Sequence, residues 1–259
     1  TEQPDGTDSD AGRGLIAHAL RAVTRPGDEV LTFAPYFPEY GPYVEGTGAH
    51  LRVVPPQAPA FQPNLEAFEQ MLTEKVTCVL INTPNNPTGR LVDGALLRAA
   101  AEQCRAVGAV LAVDECFLPL SDGAGPGLAP CLAEHPNLLL LRAFTKSYAM
   151  AGLRLGYALS ANGGLLERMA AAGPPWSVST PAQAAGLAAL EQCPDWPEKA
   201  RTLLASERPA LSDGLAALGL EGPAIGAAQR RLAAHILAHP EDNTPARLLA
   251  LARAELSGP

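Results

Sequence analysis

The sequence has no paired cysteines. Its five, Cys78, Cys104, Cys116, Cys131 and Cys193, stand apart without a CxxC spacing, so neither a zinc knuckle nor a redox dithiol is expected. An odd number of scattered cysteines argues for reduced thiols and a cytoplasmic protein. The five histidines, at 18, 50, 135, 235 and 239, lack the mutual spacing of metal ligands, and no metal is expected. Excess positive charge is missing too. A formal net charge of -8 gives no long-range attraction to nucleic acid or to an acidic membrane surface. No apolar run approaches the roughly eighteen residues that cross a bilayer. The opening TEQPDGTDSDAGRG has none of the basic and apolar segments of a secretory signal.

What is present suits a globular chain: 259 residues, 47% hydrophobic and 18% charged, with 25 prolines. A chain of this length buries roughly 70% of its unfolded surface without help from metals or disulfides. Apolar residues at helical spacing predict a helix over 15–23, stopped by RPGD at 25–28. EVLTF and HLRVVP read as strands, with APYFPEY between them as a rigid aromatic turn. A helix follows over 64–72 with Asn64 as its N-cap, then a strand at VTCVLI, a helix over 93–107 and a strand AVLAV ending at Asp114. Residues 119–130 read as a loop, and NLLLLRAF and RLGYALS as two more strands. From 173 the chain turns mostly helical, with a helix near 197–217 leading into a smaller C-terminal part.

Strands without polar alternation, separated by helices, indicate an α/β fold with a mostly parallel sheet covered on both faces. In such a sheet the ligand site lies beyond the carboxyl ends of the strands. Asn86, Asp114 and Lys146 each follow or end a different strand, so they converge there.

Lys146 is the first candidate for chemistry. A lysine amine forms a Schiff base with an aldehyde such as pyridoxal phosphate, and a buried electropositive setting makes its neutral form accessible. An arbitrary lysine in a loop is more simply a solvated charge. Arg154, among Gly152 and Gly156, counters that reading because its planar fork suits a phosphate. Asp114 at a strand end serves either as a cap or salt-bridge partner, or as the partner of a protonated pyridine nitrogen, which keeps the ring an electron sink. NTPNNPTG is a rigid turn whose Asn86 amide can donate and accept. Phe37 offers a face for stacking on a planar heterocycle and Trp176 a lining for the substrate side, with core packing the competing role for each. Cys116 reads as a small buried hydrophobe.

RPGDEVLTFAPYFPEY, NTPNNPTG, VDECF, LRAFTKSYAMAGLRLGY and PWSVSTPAQ occur in this order across residues 15–190. Together they resemble the fold-type I pyridoxal-phosphate enzymes of the class I/II aminotransferase group. The resemblance is nearest the histidinol-phosphate aminotransferase and threonine-phosphate decarboxylase branch. It implies an aspartate aminotransferase-like large domain over 1–190 and a reduced, mainly helical C-terminal domain over 191–259. It also implies that an N-terminal segment found in relatives is missing from this chain.

Position by position, the resemblance makes Lys146 the lysine that forms the cofactor aldimine and moves a proton, and Arg154 the phosphate ligand. Asp114 becomes the partner of the pyridine nitrogen, Asn86 the contact to the phenolic oxygen and substrate carboxylate, and Phe37 the stacking ring. Thr145 falls where a hydroxyl stands beside the lysine, and Gly12 takes the place of a glycine-led phosphate loop. Phe117 stands where many relatives have tyrosine, and Ala143 where a Ser or Thr helps hold the phosphate. Ala238 stands where an arginine binds the substrate carboxylate, with Arg230 and Arg231 as alternatives. The implied activity is transamination between an amino acid or amino-acid phosphate and a keto acid, in a homodimer. Threonine-phosphate decarboxylation is one alternative, and a non-catalytic binding or structural module on the same scaffold is another.

Overall fold

The computed structural model describes residues 11–56, 63–122, 125–217, 247, 250 and 251. The chain divides into two compact units, 1–201 and 202–259. The first carries a six-stranded sheet. Its strands are β1 (Glu29–Phe33), β2 (His50–Val54), β3 (Val76–Asn82), β4 (Val110–Asp114), β5 (Leu138–Ala143) and β6 (Gly156–Leu159). They lie in the order β2-β1-β3-β4-β5-β6. All pairings are parallel except β5 with β6, which is antiparallel.

Helices α1 (Ala11–Val23), α2 (Tyr40–Glu45), α3 (Leu65–Met71) and α4 (Gly94–Ala106) precede or connect the parallel strands. After them come the single turn α5 (Phe144–Ser147), α6 (Gly163–Ala172), α7 (Thr180–Gln192) and α8 (Trp196–Ala216). Several starts are fixed by the caps the sequence offers. Asn64 Oδ1 accepts from Ala67 N at 3.1 Å, and Asp93 Oδ1 from Ala95 N at 2.6 Å. Asn162 Oδ1 accepts from Leu165 N at 3.0 Å, so each side chain satisfies an amide that the helix itself leaves open.

Strand handedness explains which helix covers which face. The chain moves outward from β1 to β2, then reverses to β3 and continues to β4. Right-handed crossovers put helices added in opposite directions on opposite faces. Accordingly Tyr40 and Val44 of α2 join Ile16 and Leu20 of α1 in one core cluster. Phe68 of α3 and Leu97 of α4 join the other. The strands split between the two clusters with period two: Cys78 and Leu80 face one side, Val79 and Ile81 the other. Both faces are apolar, so the sequence shows continuous hydrophobic runs rather than alternation.

The reversal leaves a switch point between β1 and β3, where adjacent strands send their following loops to opposite sides of the sheet. The loop bearing Phe37 leaves β1 there, and the loop bearing Asn86 leaves β3. The aromatic turn after β1 is present through Glu39, and two helices are added to the expected elements: α2, which begins at Tyr40, and α6, which packs on α1. Ala238, Arg230 and Arg231 lie outside the described residues.

Candidate active site

Asn82 and Asp114 are register partners at the carboxyl ends of β3 and β4, and Asp114 pairs with Leu141 of β5. Three neighbouring strand ends thus carry the three loops of interest. Among the described residues, a continuous chain of interactions runs through them. Phe37 meets Tyr40 edge-on, with centroids 5.7 Å apart and planes at 87°. Tyr40 is fully buried, and its phenol pKa is raised, first by burial and then by the nearby Asp114 carboxylate and Cys116. Burial is the largest cause of the raised Cys116 thiol pKa; the Asp114 carboxylate raises it further and the Lys146 charge lowers it. The Lys146 Nζ lies 5.6 Å from the centre of the Phe117 ring.

Asp114 is the electrostatic centre of this chain. Burial raises its carboxyl pKa, while Cys116, first, and the nearby Tyr40 phenol pull it down, although the Tyr40 hydroxyl itself makes no hydrogen bond among the described residues. The amide contact, Cys116 N to Asp114 Oδ1, is 3.0 Å. The net direction is upward, so the protein's own donors do not fully compensate the charge. A cation placed against this carboxyl would reverse the shift.

Lys146 and Arg154 share one connection. β5 and β6 pair antiparallel up to Ala143 and Gly156, and Phe144 N donates to Leu155 O at 3.0 Å to close the hairpin. Lys146 sits in α5 on the outgoing arm, and its side chain is exposed, in contrast to the buried setting expected from the sequence. Arg154 sits on the return arm with φ +57°, and its Nη1 donates to Ala151 O at 2.6 Å, so its guanidinium closes its own turn. Thr145 Oγ1 is buried without a hydrogen-bond partner. Such an orphaned hydroxyl is costly unless a ligand engages it. Ala143, where a hydroxyl is common in the group this chain resembles, is buried and contributes only its carbonyl, to Ser147 Oγ at 3.0 Å.

The asparagine turn divides its labour. Asn85 Nδ2 donates to Pro35 O at 2.8 Å and to Asn82 Oδ1 at 3.0 Å, and its Oδ1 accepts from Thr88 N and Oγ1. Asn85 therefore ties the loop after β3 to the loop that carries Phe37. The Asn86 backbone carbonyl accepts weakly from Asn82 Nδ2 at 3.4 Å, and its side chain makes no hydrogen bond among the described residues. Gly12 lies in the first turn of α1, where backbone amides have no intrahelical acceptors. Trp176 is 96% exposed at φ +60°, which excludes the core-packing alternative. No group of three or more metal-ligating side chains occurs among the described residues.

The donor set fits pyridoxal phosphate. An incompletely compensated carboxyl suits a pyridinium, an orphaned hydroxyl suits a phosphate oxygen, an unengaged amide suits a phenolic oxygen, and the exposed Lys146 amine directly follows the orphaned hydroxyl in the chain.

Sequence reading missed Tyr40, the structural part played by Asn85, and an ion pair between buried Glu115 and partly buried Arg142. For the pair a signal existed: a second acid directly after Asp114, and one arginine interrupting the apolar run of β5.

The family model for aminotransferase class I and II matches residues 9–228. The histidinol-phosphate aminotransferase of Anaeromyxobacter sp. is 35% identical over 208 residues, which are 79% of this chain and 56% of that protein. The threonine-phosphate decarboxylase of Salmonella typhimurium is 35% identical over 157 residues, 61% of this chain and 43% of its own length. Among solved structures, an aspartate aminotransferase double mutant from Thermus thermophilus superposes with a TM-score of 0.72 at 28% identity. The match covers 82% of this chain and 56% of the other. The chain thus spans about half the length of the relatives it matches. With the sheet order and this match in agreement, the chain belongs to the class I and II aminotransferases, a family that works with pyridoxal 5'-phosphate.

Proposed function

We propose that this chain acts as a pyridoxal-phosphate-dependent aminotransferase on an amino acid or amino-acid phosphate. The observation that carries the reading is the convergence of Asp114 and Lys146 at neighbouring strand ends, with the Lys146 amine over the ring of Phe117, three residues after Asp114. Pyridoxal phosphate, when bound, supplies an electron sink conjugated to the substrate Cα. Lys146 would hold the aldehyde carbon and, once displaced by the substrate amine, would move the proton between the substrate Cα and the cofactor C4′. Asp114 holds positive charge at the ring nitrogen, and Phe37 covers a ring face. Thr145, Arg154 and the first-turn amides at Gly12 bind the anionic end. Asn86 orients the phenolic oxygen and the substrate carboxylate, in the absence of a hydroxyl at Phe117.

Borohydride reduction of the chain mixed with pyridoxal phosphate, followed by peptide mapping, tests this reading: an adduct on Lys146 is expected, and its absence rejects it. The 35% identity to a threonine-phosphate decarboxylase favours one second reading, because the same contacts serve decarboxylation. Amino transfer to 2-oxoglutarate, against carbon dioxide release from threonine phosphate, separates the two.

Residues 1–190 are assigned to the cofactor domain and 191–259 to a reduced C-terminal domain. Exposed Trp176, Leu187 and Leu190 support a homodimer, which sedimentation tests directly. The free cysteines support a cytoplasmic location, and no described helix is long and apolar enough to cross a membrane.

A further inference from the structure

We propose that Glu115 and Arg142 form a positioning pair that sets the separation between the Asp114 carboxylate and the Lys146 amine. The inference rests on the proposed roles of those two groups. Glu115 directly follows Asp114 and is 0% exposed. Strand alternation sends its side chain to the opposite side of the sheet from Asp114. Its Oε2 receives both Arg142 Nε at 2.8 Å and Arg142 Nη2 at 2.6 Å, while its Oε1 accepts from Leu128 N at 3.1 Å. Arg142 Nη2 also donates to Pro126 O at 3.0 Å. Both Glu115 oxygens and the Nε and Nη2 of Arg142 are thus engaged.

The location gives this pair its consequence. Asp114 is in register with Leu141, and Glu115 N donates to Leu141 O at 2.8 Å. The Glu115–Arg142 contact therefore extends the β4–β5 ladder by side chains, one residue beyond the last register pair. On one arm it neighbours Asp114 and Phe117. On the other it is followed by Ala143, which starts the single turn holding Thr145 and Lys146. That turn is held by backbone bonds, the Ser147 hydroxyl and the ring contacts of Phe144 with Tyr148 and Tyr157, and a one-turn helix has little stability of its own.

Stability alone does not account for an ion pair here, because well-packed apolar residues serve buried positions as well or better. What the pair adds is direction: a rigid guanidinium fork engaging one carboxylate oxygen permits little relative motion of two strand ends. Small displacements at a reacting centre have large rate effects.

The test compares the full chain with Arg142→Lys, which keeps the charge without the fork, and with the paired substitution Glu115→Gln/Arg142→Met, which removes the charges together. Two readouts are taken alongside thermal melting. One is the rate of borohydride-trapped pyridoxal phosphate capture at Lys146. The other is cofactor-free: acetic anhydride labelling of Lys146 relative to Lys75 and Lys199, quantified by mass spectrometry. Both variants are expected to fold, to capture the cofactor about tenfold more slowly, and to show an altered Lys146 labelling ratio. A lowered melting temperature with capture rate and labelling ratio unchanged would overturn the proposal and leave a purely structural pair. If the unsubstituted chain captures no cofactor, the proposed function fails, and the labelling ratio alone decides the positioning claim: a change supports it and constancy rejects it.

Discussion

The Lys146 ammonium lies 5.6 Å from the centre of the Phe117 ring, joining the candidate catalytic amine to the residue that the family resemblance sets against a tyrosine. Phe117 is 39% exposed, leucine keeps most of the apolar area that remains buried, and an exposed cation–π contact is worth about 0.5–1 kcal/mol. Phe117→Leu is therefore expected to cost less than about 1 kcal/mol in urea denaturation. Phe117→Tyr is expected to shift the visible absorption of the cofactor-loaded chain, since it restores a phenol beside the amine. An unchanged spectrum would mean that position 117 does not face the cofactor.

Asp114 predicts a pH dependence with a definite sign. Burial raises its pKa above the ordinary value of 3.8 in the folded chain. Between those two values the unfolded chain has already lost the proton that the folded chain still holds. Stability therefore falls as pH rises through that window and stays reduced above it. Asp114→Asn is expected to melt higher than the unsubstituted, cofactor-free chain at neutral pH, with the difference fading as pH drops below the ordinary carboxylate range. Pyridoxal phosphate should then stabilise the unsubstituted chain and not the variant, because ligand stabilisation scales with binding to the folded form. Equal melting temperatures at neutral pH would show the carboxyl to be fully compensated by Cys116 and Tyr40.

The parallel strands were legible because a sheet covered on both faces needs unbroken apolar segments such as VTCVLI and LLLL, and few other contexts do. The helix starts at Asn64 and Asp93 were legible through local capping, which depends on residues only a few positions apart. The antiparallel setting of β6 was not, since strand direction depends on where the chain returns after α5 rather than on GYAL itself. Asp114, Asn86 and Lys146 stood out as polar residues at apolar strand ends. Tyr40 did not, because a buried tyrosine near a carboxylate has the same sequence appearance as a core ring. The partition between Asn85 and Asn86 was hidden for a related reason. Which of two adjacent amides turns toward Pro35 is decided by the loop after β1, far away in sequence.

That partition predicts opposite phenotypes for neighbouring asparagines. Asn85→Ala removes the bonds to Pro35, Asn82 and Thr88. It is expected to destabilise the chain by about 2–3 kcal/mol, at about 1 kcal/mol net per hydrogen bond with some compensation by water. Asn86→Ala removes no side-chain hydrogen bond and should stay within about 0.5 kcal/mol of the parent, yet weaken cofactor capture. Urea denaturation and a pyridoxal phosphate titration on both variants read the two effects. A destabilised Asn86→Ala with intact capture would assign Asn86 to the scaffold.

The loop that closes over Glu115 admits only glycine at 127. Gly127 has φ +66°, and a Cβ there would lie 2.5 Å from both Glu115 Oε1 and Leu118 Cδ2. Gly127→Ala thus combines left-handed backbone strain of roughly 1 kcal/mol with a clash against a carboxylate already held by Arg142 and Leu128 N. Glu115 has no room to retreat, being fully buried. The expected loss is about 2–4 kcal/mol, the range for overpacking plus backbone strain. Because the displaced group is Glu115, the β4–β5 strand ends should move with it. Hydrogen exchange ought then to quicken at 141–148 as well as at 125–128, whereas acceleration confined to 125–128 would show that the loop yields without disturbing the carboxylate.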